Sequence, residues 1–106
     1  MATKKKITKK ATKSIPVLVT TEFRGVFYGL TEDPGADPIK LTGARNCIYW
    51  SSDVGGFLGL TERGPNASCR IGAPNGGVTR LSKVTCVSDL SPAAASAWEN
   101  APVYRG

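Results

Sequence analysis

From Pro16 to Trp50 the chain sets β-forming runs against hard turn signals: PVLVTTEFRGVFYGLTE, then DPGADP, then IKLTGARNCIYW. This alternation narrows the fold more than any other feature. Val, Ile, Thr, Phe and Tyr suit a pleated, half-buried surface, and proline and glycine supply the fixed and positive φ values that a reversal needs. The run predicts strands at about 16 to 22 and 25 to 32, joined at Phe23, Arg24 and Gly25. The loop over 33 to 38 follows, then a third strand near 39 to 42 and a fourth near 45 to 50. Strand periodicity puts Arg45, Cys47 and Tyr49 on one face of the fourth strand and Asn46, Ile48 and Trp50 on the other.

Beyond Trp50 the pattern changes. GVFYGLTE at 25 to 32 and GGFLGLTE at 55 to 62 agree at six of eight positions, which suggests a duplicated unit. The flanks of the second copy argue for coincidence. SSD before it suits a helix start, and RGP after it places a cation, a glycine and a proline where helices end. A helix is therefore expected at about 52 to 63, with Val54, Phe57, Leu58 and Thr61 on one face, although Gly55, Gly56 and Gly59 would each cost it roughly 1 kcal/mol. SCRIG at 68 to 72 reads as a short strand, PNGG at 74 to 77 as a turn, and 78 to 90 as one long or bulged strand. Ser91 as N-cap and Pro92 at the first helical position open a C-terminal helix at about 91 to 100. Trp98 either anchors that helix to the sheet or offers an exposed aromatic contact. The expected fold is α+β: a small, mostly antiparallel, strongly curved sheet or half-barrel with one inserted and one C-terminal helix.

Charge divides the chain in two. Lys4, Lys5, Lys6, Lys9, Lys10 and Lys13 stand in the first thirteen residues without one acid, and the remaining chain carries eight residues of each sign. The whole net charge of +6 thus belongs to that segment. Residues 1 to 14 read as a disordered lysine-rich tail, since such a tract has too little apolar surface to offset its ordering entropy, and 15 to 106 as a single domain. The tail suits attraction to nucleic acid or another polyanion; its alternative is a solubilising role with no dedicated partner. No window is apolar enough for a membrane span and no leader pattern opens the chain, so a soluble, non-exported protein is expected. Cys47, Cys69 and Cys86 are an odd set without C-x-x-C spacing, which favours reduced, buried thiols over a disulfide.

The series VLVTTEFRGVFYG, IKLTGARNCIYW, a small-residue segment, SCRIG, a β-rich run and AWENAPVY resembles small uncharacterised proteins encoded by tailed bacteriophages and prophages. Its most specific element is Ala44, Arg45, Tyr49 and Trp50 followed by the helix-like insertion. The resemblance implies a phage origin and supplies no mechanism.

Catalysis has little support in these residues. Histidine is absent, which removes Ser-His-Asp and Cys-His arrangements and imidazole metal ligands, and the cysteine spacings match no usual zinc pattern. GGFLG lacks the lysine of a phosphate loop. No cofactor and no metal are expected. A binding role fits better: Arg45, Tyr49 and Trp50 would offer a cationic fork and stacking planes to an anionic partner, with Arg24, Arg70 and the tail lysines in support. The structural alternative is that Tyr49 and Trp50 pack the strand–helix junction, with Arg45 paired to Glu22 or Asp53. The expected function is a phage-encoded accessory binding protein in the host cytoplasm, engaging nucleic acid, a nucleotide signal or a host defence factor. The alternative is a minor structural protein of the virion. A homo-oligomer is expected because a small curved sheet leaves edges to cover.

Overall fold

The computed structural model describes residues 14–22 and 25–104. The six tail lysines and Arg24 therefore lie outside the described residues. Six strands and two helices follow in order: β1 Ile15–Thr21, β2 Val26–Thr31, β3 Ile39–Tyr49, α1 Gly56–Glu62, β4 Arg70–Ile71, β5 Val78–Leu81, β6 Val84–Asp89 and α2 Pro92–Asn100, with a 3-10 turn over Ser52–Val54. One antiparallel sheet runs β4-β3-β2-β1-β6, and β5 also pairs with β3. The α+β expectation, with an inserted and a C-terminal helix, is met.

The curl of the sheet is visible in its connections. Only Ser82 and Lys83 separate β5 from β6, yet β5 lies along β3 (Ile39 opposite Leu81) while β6 lies along β1 (Val19 opposite Val87). The expected single strand over 78 to 90 is thus two strands on opposite sides of the sheet. The break falls at Lys83, whose φ is 55°. Among the described residues no ladder joins β5 to β6, so the sheet is a half-barrel and not a closed one.

Both faces of this sheet are covered. Val17, Val19, Ile39, Leu41 and Ala44 form one cluster with Phe27, Leu81, Val84 and Val87, on the inside of the curl. Leu18, Val26, Tyr28, Cys47 and Ile71 form the other, beneath Val54, Leu60, Ala94 and Trp98 of the helical layer. Burial on two sides explains the continuous apolar run Val17-Leu18-Val19.

The two strands expected at 39 to 42 and 45 to 50 are one. Gly43 sits at φ 60° and the pairing register shifts between Tyr28 and Leu30, which is a β-bulge. The extra residue flips the alternation: Ile39 and Leu41 face inward before it, Ala44 does so after it, and Arg45 and Cys47 turn toward the helices.

The expected helix over 52 to 63 is a 3-10 turn and α1, separated by Gly55. Gly59, Leu60 and Thr61 are its buried residues, whereas Leu58 is 69% exposed, so the expected face containing Leu58 is corrected. A Cβ on Gly59 would lie 1.9 Å from the Val54 carbonyl oxygen; the 3-10 turn folds back so closely that no side chain fits. The end signals behave as the sequence suggests. Gly64 is left-handed and its N–H bonds to the Leu60 carbonyl at 3.1 Å. Ser91 accepts from the Ala94 N–H at 3.0 Å and its hydroxyl donates to the Glu62 carbonyl at 2.6 Å, joining the start of α2 to the end of α1. No helix among the described residues is long and apolar enough to cross a membrane.

Candidate functional site

The arginine expected to face a ligand is inside the protein. Arg45 is 2% exposed. The bulge turns it under α2, where its Nε donates to the Gly72 carbonyl and its Nη1 to the Trp98 carbonyl, each at 2.8 Å. Trp98 is in the last turn of α2, so the guanidinium also sits at the negative end of the helix dipole. Its Nη2 is buried with no partner. The expectation of a solvent-facing Arg45 is corrected, as is its alternative of a pair with Glu22 or Asp53. An arginine spent on two main-chain carbonyls has no fork left to offer.

Trp50 is half-buried and packs against the cluster under the helices, which is the structural alternative for that ring. Trp98 is fully buried: its indole N–H donates to the Leu60 carbonyl at 3.1 Å and its ring stacks on Tyr28 with centroids 5.8 Å apart. It is the anchor of α2. The Tyr28 hydroxyl donates to Glu99, and burial, then this carboxylate, push the phenol well above its usual range.

Tyr49 and Arg70 do come together. They are cross-strand partners on β3 and β4, and both are exposed, Tyr49 at 47%. The Arg70 guanidinium carbon lies 5.4 Å from the centre of the Tyr49 ring and 5.2 Å from that of Tyr104. The chain after α2 brings Tyr104 to this place. Val103 bridges to Ile71 in parallel, and the Tyr104 N–H bonds to the Ile71 carbonyl at 2.8 Å. Among the described residues the one ion pair is Lys83 with Glu22 at 4.0 Å, so Arg70 keeps its charge unpaired between two aromatic faces. Sequence reading missed Tyr104. The signal was the closing APVYR, an aromatic beside a cation, but nothing local tells that it returns to β4.

Next to Tyr104 is a cavity of about 240 Å³ lined by Asn66, Ala67, Cys69, Ile71, Ala101, Pro102 and Val103. Asn66 organises this rim. Its amide donates to Asp53 at 3.0 Å, and its carbonyl oxygen accepts from the Ser68 N–H at 2.9 Å and faces the Cys69 thiol at 3.4 Å. Hydrogen bonds from Ser51 and then Asn66 hold the Asp53 carboxyl below the usual carboxylate range. All three cysteines are free: Cys47 is buried, Cys69 half-buried and Cys86 exposed. The expected burial of Cys86 is corrected, since β6 is an edge strand and turns Thr85 and Cys86 outward.

Residues 14–98 match a family described as a domain of unknown function, DUF6948. The chain belongs to that family. No curated protein and no solved structure matches the chain. The DUF6948 match takes in Arg45, Tyr49, Arg70 and Trp98, and Tyr104 lies beyond it.

Proposed function

We propose that this DUF6948 protein is a phage-encoded accessory binding protein, not a catalyst, that engages an anionic partner in the host cytoplasm through Arg70 and the rings of Tyr49 and Tyr104. The observation that carries the reading is the exposed guanidinium, unpaired among the described residues and held between two tyrosine faces. Cation–π contact restricts the side chain and leaves its N–H edge free for phosphate, while the rings remain available to stack on bases. The lysine-rich segment adds a long-range attraction of the same sign. The acids support the non-catalytic part: Glu99 holds Tyr28, Asp53 holds the Ser51–Asn66 rim, and Glu22 faces Lys83. The outer edge of β6, which pairs only with β1 among the described residues, keeps a homo-oligomer within the proposal.

The test is fluorescence anisotropy with a labelled single-stranded oligonucleotide over a salt series. Arg70→Ala should weaken binding about tenfold, the loss of one stacked charged contact. Deletion of residues 1–13 should flatten the dependence of log K on log salt. Equal binding by wild type and Arg70→Ala at low salt would overturn the proposal.

A further inference from the structure

We propose that the cavity beside Tyr104 is a seat for a single nucleobase whose phosphate is met by Arg70. The inference rests on the anionic-partner reading and names the class of ligand. Three observations converge on it. Tyr104 belongs to both features, forming one wall of the cavity and one of the two rings on Arg70. Whatever enters the cavity therefore has a cation at its mouth.

The lining is the second observation. Ala67, Cys69, Ile71, Ala101, Pro102 and Val103 present methyl groups, a ring and a thiol, and the polar atoms of Asn66 are engaged with Asp53, Ser68 and Cys69. A sugar, with a hydroxyl on nearly every carbon, would find few partners there for the hydration it loses, whereas a flat heteroaromatic ring buries its faces against such walls at little cost. The third is size. About 240 Å³ falls below the roughly 300 Å³ at which sites for drug-sized ligands begin, which suits one ring system and excludes a bulky one. A larger cavity, about 400 Å³ between the ends of β2 and β3, has Glu32 and Asp33 in its wall with Lys40, and those carboxylates repel a phosphate.

Cys69 makes the seat directly testable, because its free thiol lines the cavity while Cys86 is exposed elsewhere. In the full-length wild-type protein, alkylation by iodoacetamide is followed at each cysteine by peptide mass spectrometry, and the Ala67, Ala101 and Val103 methyl resonances by NMR. Each is measured with adenosine 5′-monophosphate and with ribose 5-phosphate. The expected result is at least a threefold slowing at Cys69 with the nucleotide, no change at Cys86, movement of the three methyl resonances, and neither effect with the base-free sugar phosphate. Unchanged Cys69 reactivity and methyl positions at millimolar nucleotide would overturn the seat, as would equal effects from ribose 5-phosphate. Failure of the underlying reading is distinguished by the oligonucleotide assay, where it shows as binding that does not depend on Arg70.

Discussion

Arg45 and Arg70 stand on neighbouring strands, and the same chemistry nominates both as ligand contacts, yet the protein uses them in opposite ways. Arg45 lies in the middle of the sheet beneath α2, where a charge removed from water must be satisfied by the protein. Two carbonyls and a helix end do this for Nε and Nη1, while Nη2 is left without a partner. Arg70 lies on the β4 edge, past the helical layer, where water can solvate it and two rings steady it. What covers a strand, more than which residues compose it, decides whether an arginine is structure or surface. Cysteine repeats the lesson: Cys47 under the helices is buried, and Cys86 on the edge is not.

The largest expected effect tests the covered region. Trp98→Ala should cost roughly 3 to 5 kcal/mol in a denaturant titration, as the truncation of a fully buried aromatic. A loss under about 1 kcal/mol would mean that α2 is not what seals the corner around Arg45. Next in size is Arg45→Ala, which strands the Gly72 and Trp98 carbonyls and should cost roughly 2 to 5 kcal/mol. Arg45→Met should recover part of that loss, because it refills the space without a buried charge. A surface-like value near zero for Arg45→Ala would erase the contrast between the two arginines.

A pH series sharpens the same contrast without a mutation at either arginine. Burial, with Cys69 nearby adding to it, pushes the Cys47 thiol from 9.0 up to about 12. Its folded value is raised, so its contribution is fully present below pH 9 and is lost as pH rises toward 12. The raised Tyr28 phenol acts in the same direction. The denaturation midpoint should therefore fall above pH 9, less steeply in Cys47→Ala; an identical slope in that variant would remove Cys47 from the explanation. The smallest effect on stability belongs to Arg70→Ala, expected within about 0.5 kcal/mol of wild type. Its unfolding would make the edge cluster part of the fold and leave the proposed contact without support.

Much of the fold was legible because its signals are local. Pro and Gly loops marked the reversals, Ser91 with Pro92 marked the start of α2, and Arg63-Gly64-Pro65 marked the end of α1. The candidate site was only half legible: Tyr49 and Arg70 were named, but alternation within 45 to 50 set Arg45 and Tyr49 on one face as equals and carried no sign of what covers each. The Gly43 bulge lies before both and sets the phase they share; what separates them is the helical layer, which covers Arg45 and leaves Tyr49 exposed.

The repeated segment separates the two levels of information most clearly. Gly-Leu-Thr closes β2 at 29 to 31, with Glu32 just beyond, and Gly-Leu-Thr-Glu recurs within α1 at 59 to 62. The sequence by itself determined where such segments begin and end, since caps, breakers and turn residues act within a few positions of the backbone they govern. It also determined that the chain would be α+β, and that its net charge sits in the first thirteen residues. Only the tertiary structure decided which side chains are covered, that 78 to 89 divides between two sides of a curled sheet, and that Tyr104 returns to meet Arg70. Those outcomes depend on contacts between residues tens of positions apart, whose free energy appears only once the whole sheet has assembled.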